Sequence, residues 1–155
     1  MPEIKRILYP TDFSELSACA FEYACYLTKQ LQAQLHCIHV VDDSYQYWLT
    51  FDAATVPAGP PVEDLVAAAR KELDKFLAQR LPAGIEPVKS VLHGRAFMEI
   101  IRYARTEKID LIVIGTHGWS ALRQVLVGAV ADKVIRKSPC PVLSVRHPRH
   151  EFAMP

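Results

Sequence analysis

Gly115, Gly118 and Gly128 are the residues of this chain best placed to do chemistry, because backbone amides can close on a phosphate only where no side chain intervenes. They follow the apolar run Leu111–Ile114, where a buried strand would hand over to a helix. If residues 110–114 form a strand and a helix runs from Ala129 onward, the loop amides and the helix N-terminus point at one anion. A nucleotide is the first ligand this implies. Two residues separate the first pair of glycines and nine the second, with no lysine between Gly115 and Gly128, which excludes both a Walker loop and the dinucleotide fingerprint. The same glycines would also serve merely to end a strand and start a helix, so the surrounding pattern has to decide.

That pattern alternates in kind. Ile7–Tyr9 reads as a strand, followed by a helix in which Leu16, Ala20, Tyr23, Ala24, Leu27 and Leu31 step by three and four, with Ser14 as its N-cap. Leu35–Val41 is a second strand. A second helix spans Val62–Arg80, with Leu65, Val66, Ala69, Leu73, Phe76 and Leu77 on one face and Pro82 closing it. Ile85–Leu92 is a third strand, Phe97, Ile100, Ile101 and Ala104 mark a third helix, and Leu111–Ile114 is a fourth strand. A last helix covers about Ala129–Lys137, with Val130 and Val134 facing inward, before a final strand Val142–Val145. Five strands alternating with helices, and apolar on both faces, imply an α/β fold: a five-stranded parallel sheet with helices on both faces. Ligands of such sheets bind at the carboxyl ends of the strands, where strand order reverses. The glycine loop, Asp12 and the segment Val40–Asp42 all fall at those ends.

The chain has 155 residues and a formal charge of +1, enough for one domain and without the basic field that would hold nucleic acid. The domain is expected over residues 1–147, with 148–155 a frayed tail. The opening residues are too short in apolar content for a signal peptide, and nothing approaches membrane-spanning length. Cys19, Cys25, Cys37 and Cys140 form no CxxC pair and read as small apolar residues, so a cytoplasmic protein is expected. His36 and His39, three apart on a strand, point to opposite faces and make a poor metal pair. His93 ends the third strand, where it either touches the crevice or starts a helix. Residues 42–61 break the pattern with Tyr45, Tyr47, Trp48, Phe51 and three prolines. Such a loop is a surface excursion, a lid over the crevice or a partner-binding patch.

With these residues in place, the chain resembles the universal stress proteins over essentially its full length. The matching pieces are ArgIleLeuTyrProThrAspPheSer, IleHisValVal, AspLeuIleValIleGlyThrHisGly and ValIleArgLysSerProCysProValLeuSerVal. The nucleotide-binding branch of that family carries GxxG, nine residues, then Gly and Ser or Thr; Gly115, Gly118 and Gly128 fit in register. The resemblance implies a Rossmann-like fold of the adenine nucleotide alpha hydrolase type and a nucleotide site made of Pro10, Thr11, Asp12, Val40, Val41, Gly115, His117, Gly118, Gly128, Ala129 and Val130. In it Asp12 lies near the ribose and, through water, a phosphate-bound metal; main chain at Val40 and Val41 meets the adenine edge; and the glycine loop holds the triphosphate. His117 either donates to a phosphate or caps the turn.

The ligand implied is ATP, or ADP or AMP, with Mg²⁺ or Mn²⁺. Two departures bear on it. Ala129 stands where the binding branch has Ser or Thr, and a lost hydrogen bond to a charged group costs about 1.5–3 kcal/mol, or roughly one to two orders of magnitude in affinity. Trp119 stands where many relatives that bind nucleotide carry Arg or another small or polar residue, and Arg123, four residues on, could return the positive charge. The backbone amides of Gly128 and Ala129 and the helix dipole survive the change at Ala129. No catalytic constellation is visible, and the HxGH signature of adenylate-handling enzymes lacks its second histidine, so any hydrolysis is expected to be slow. The sequence therefore points to a nucleotide-holding stress-response sensor or switch. The alternative is a nucleotide-free dimeric interaction module. A homodimer through the last strand, using Val142, Leu143 and Val145, is expected from edge-strand exposure and from the resemblance.

Overall fold

The computed structural model describes residues 1–42, 59–116 and 129–147. In chain order these form β1 (Arg6–Pro10), α1 (Glu15–Leu31), β2 (Gln34–Asp42), α2 (Val62–Arg80), β3 (Val88–Gly94), α3 (Ala96–Thr106), β4 (Leu111–Gly115), α4 (Ala129–Lys137) and β5 (Val142–Val145). The strands make one sheet in the order β3-β2-β1-β4-β5, every pairing parallel. Stepping outward from β1 to β3 lays α1 and α2 over one face. Returning through β4 to β5 lays α3 and α4 over the other, as right-handed crossovers require.

Alternation along the strands supplies both faces at once. Ile7, Tyr9, Leu35, Cys37, Val113 and Val145 pack with Phe21, Ala24, Leu73 and Phe76 of α1 and α2. Leu8, Ile38, Ile112 and Ile114 pack with Ile100 and Ala104 of α3 and Ala131 and Val134 of α4. The helix α2 runs over the residues its pattern indicates, and Ala69, Leu73, Phe76 and Leu77 are buried in it.

Three expectations need correcting. In α1 the buried face is Ser17, Ala20, Phe21, Ala24, Cys25 and Thr28, whereas Tyr23 and Leu31 are exposed. The helix carries apolar residues nearly all round, and the polar groups of Ser17 and Thr28 turn inward instead. In α4 it is Ala131 that accompanies Val134 inward, while Val130 is exposed. Third, β3 begins at Val88: Ile85 is buried, but in the connection behind Gly84 at φ 87° and Pro87, which has no N–H for a ladder.

Candidate functional site

Strand order reverses between β1 and β4, and one residue opens the sheet there. Thr11 N donates to Ile38 O of β2 at 2.9 Å, and Asp110 N donates to Arg6 O at 3.0 Å, so residues 6, 8 and 10 of β1 turn their main chain toward β4. Pro10 has no proton to give. The pairing of β1 with β4 stops at Leu8 and Ile112, while that with β2 continues to Pro10 and Ile38. The two central strands thus part at their carboxyl ends.

Immediately beyond lies the Thr11–Ser14 turn. Thr11 Oγ1 accepts from Phe13 N at 3.0 Å and lies 3.1 Å from Ser17 Oγ. Asp12 Oδ1 accepts from Ser14 N at 3.0 Å and from Ser14 Oγ at 2.5 Å. Ser14 Oγ in turn accepts from Ser17 N at 3.1 Å, which is the N-cap foreseen for α1. Phe13 takes φ 64°, a left-handed conformation for an aromatic residue. Asp12 is therefore presented at the mouth of the crevice by a turn bonded to the first turn of α1. Tyr9 reaches the same helix, its hydroxyl donating to Ser17 O at 2.8 Å, and burial pushes its phenol well above the ordinary range.

The two histidines of β2 do point to opposite faces. His36 is 3% exposed among the α3-side residues, with Nδ1 2.9 Å from the Tyr103 hydroxyl and Nε2 without a partner. Burial depresses its pKa; Glu107 opposes that and Arg6 adds to it. Burial also lifts the Tyr103 phenol to about 12. On the other face, His39 Nδ1 lies 2.7 Å from Thr11 O and its ring stacks on Phe13 at 4.3 Å. Burial lowers the His39 pKa too, against the pull of the Thr11 carbonyl and of Asp12.

Along β2 the alternation turns the N–H and C=O of Val40 to the same side as those of Ile38, where β1 has ended, and those of Val41 toward β3. Of the two residues expected to read an adenine edge, Val40 is the one whose main chain faces the crevice. Asp42 Oδ2 accepts from Ala96 N at 2.9 Å and so caps α3. Its neighbour Gly94 takes φ 143°, and an added Cβ would stand 3.0 Å from the Glu99 carboxyl. His93 is exposed at the end of β3.

Gly115 ends β4 for a reason the sequence did not reveal. A Cβ there would stand 3.1 Å from Ser17 Cα and 3.2 Å from Leu16 O, so the missing side chain lets α1 lie against β4. Thr116 N then donates to Val145 O at 3.0 Å. His117, Gly118, Trp119, Arg123 and Gly128 lie outside the described residues, as do residues 43–58 of the aromatic loop and the tail from 148. Ala129 and Val130 open α4, both exposed, at the carboxyl edge where a helix between parallel strands must begin. At the sheet edge formed by β5, Val145 is 7% exposed and already part of the α1-side core, Val142 packs toward α3 and α4, and Leu143 is the exposed apolar residue. Of the three residues expected at a contact between copies, Leu143 is the most exposed.

Ser17 and His39 are the residues that sequence reasoning missed at this edge. The Ser14–Ser17 spacing of an N-cap and its third helical residue was a signal for the first. Strand alternation, which puts His39 on the face of α1, was a signal for the second.

The model of the universal stress protein family matches residues 3–146. A universal stress protein of Methanocaldococcus jannaschii is 33% identical over 147 residues, covering 95% of this chain and 85% of its own. Among solved structures, MJ0577 of the same organism superposes with a TM-score of 0.78 at 27% identity, covering 94% of this chain and 98% of that one. The universal stress protein UspA from Lactobacillus plantarum gives 0.75 at 29%, covering 93% and 99%. More distant likenesses in fold are a universal stress protein in complex with cAMP, with TM-score 0.61 at 23% identity and covering 93% and 98%, and one from Archaeoglobus fulgidus in complex with dAMP, with 0.63 at 18% and covering 94% and 100%.

Proposed function

Because the chain belongs to the universal stress protein family, we propose that it binds an adenine nucleotide, ATP in preference, at the carboxyl edge between β1 and β4, and acts as a stress-response sensor or switch with little or no turnover. The observation that carries this reading is the parting of β1 and β4 at Pro10, with Asp12, the Val40 main chain and the start of α4 around the opening. Open parallel sheets take their ligands at such a reversal, and the cAMP and dAMP complexes are cases of adenine nucleotides in this fold. Asp12 supplies an acceptor for ribose hydroxyls. Its carboxylate also suits the water shell of Mg²⁺ or Mn²⁺, which typically keeps several waters and takes one or two protein carboxylates beside substrate phosphates. The phosphates would lie toward α4, where the helix dipole and the amides of the first turn from Ala129 onward favour an anion. The protein would work in the cytoplasm as a homodimer joined along β5.

Acid extraction of the purified protein followed by chromatography, then calorimetry of the stripped protein with ATP, ADP and AMP, tests the reading. Co-purified adenylate, or saturable binding, supports it; no extracted nucleotide and flat titrations into the millimolar range refute it. One observation favours a second reading, a nucleotide-free interaction module: Ala129 brings no hydroxyl to the first turn of α4. The same two measurements separate the readings, since the module retains no adenylate.

A further inference from the structure

We propose that His39 is the positioning residue of this edge: it sets the peptide plane between Thr11 and Asp12, and through it the direction in which Asp12 meets a bound ribose. The inference rests on the nucleotide reading for its ligand but not for its geometry. His39 sits on β2 next to Ile38, the last residue paired with β1, and is itself paired with Val91 of β3, so its backbone is a fixed platform. A carbonyl oxygen only accepts, so the 2.7 Å contact between Nδ1 and Thr11 O fixes the tautomer with the proton on Nδ1. The ring cannot swing away to find another acceptor, because it is stacked on Phe13 at 4.3 Å and 23°.

What this bond holds matters more than its strength. The other Thr11 groups are tied to their own partners, N to Ile38 O and Oγ1 to Phe13 N and Ser17 Oγ. Those bonds place Thr11 but leave its carbonyl to be aimed, and the carbonyl carries the plane on which Asp12 follows. Phe13, next along, stands at φ 64°, a conformation that an aromatic residue keeps only when its surroundings impose it. His39 supplies two of those surroundings, the stacked ring beside Phe13 and the donor behind Thr11. With an apolar residue at 39, the Thr11 carbonyl, on a residue only 6% exposed, would lose this donor and turn to find another, and Asp12 would turn with the plane.

Two variants separate positioning from packing: in His39→Asn the side-chain amide can donate from about where Nδ1 does, and His39→Leu fills the space without a donor. Nitrogen NMR of the imidazole in nucleotide-free protein should find the proton on Nδ1. The Phe13 amide should exchange about fivefold faster in His39→Leu than in wild type, and MgATP affinity should fall by about the same factor, the loss of one hydrogen bond's net contribution. His39→Asn should recover both. A merely structural role predicts the reverse order in thermal stability, leucine burying better than asparagine, with affinity following stability. A proton found on Nε2, unchanged Phe13 exchange in His39→Leu, or an asparagine variant no better than leucine overturns the proposal. Should wild type take up no MgATP, the nucleotide reading falls, and the NMR and exchange results still decide whether His39 sets the turn.

Discussion

Replacing Gly115 by alanine discriminates between a glycine that admits a phosphate and one that admits a helix. The added Cβ would stand 3.1 Å from Ser17 Cα and 3.2 Å from Leu16 O, both backbone atoms that no rotamer change can move. Ordinary carbon contacts lie at about 3.5–4.0 Å, so the first turn of α1 must recede by roughly half an ångström. That turn is anchored through Tyr9 and Thr11, and overpacking of this kind costs about 1–3 kcal/mol. The φ of Gly115 is not in the positive range, so alanine adds no backbone strain and regains about 0.4–1 kcal/mol through the unfolded chain. The midpoints leave a net loss of about 1.3 kcal/mol, which for a chain of this size lowers Tm by roughly 3–5 °C. Thermal unfolding of nucleotide-free protein is the assay, repeated with saturating MgATP. The steric argument requires the deficit in both conditions. A Tm equal to wild type without nucleotide, with a deficit only in its presence, would refute it and return Gly115 to the anion.

Restoring a hydroxyl with Ala129→Ser should tighten ATP by about one to two orders of magnitude in calorimetry while leaving Tm without ligand nearly unchanged. The proposed homodimer along β5 requires wild type to sediment as a dimer and Leu143→Glu, which puts a charge on that edge without touching the buried Val145, as a monomer. The buried His36 and the half-buried His39 both have depressed pKa values, so the unfolded chain binds more protons than the fold once pH drops below about 6.5. Stability is full above that pH and is lost as pH falls toward the folded-state values. In His36→Gln the decline of Tm between neutral and acid pH should be shallower than in wild type; an unaltered slope would clear His36 of the effect.

Much of this architecture could be read from the chain because its local signals agree. The apolar stepping of α2, the Ser14 cap and the both-sided apolar strands each give the same answer as the tertiary fold. The sequence misled where burial is decided by distant partners. Ser17 looks like a surface residue until Tyr9 and Thr11 arrive beneath it, and Tyr23 looks like core until α1 is turned to accommodate them. Val130 and Ala131 differ by one step on a nine-residue helix, too short for periodicity to fix its rotation. At the candidate site, the position of Asp12 was legible and the device that aims it was not. The partnership of His39 with Thr11 spans 28 residues, and the contact that requires Gly115 is made by a helix almost a hundred residues earlier.

The missing amide hydrogen of Pro10 gives the cleft an unusual origin. The next rung between β1 and β4 would need the Pro10 N–H, and it cannot form for want of that single proton. The want of that rung is written into covalent structure and holds with or without a ligand. On the nucleotide reading, a ligand entering there spends none of its binding energy unzipping β1 from β4 beyond Leu8, because the two strands are already unpaired there.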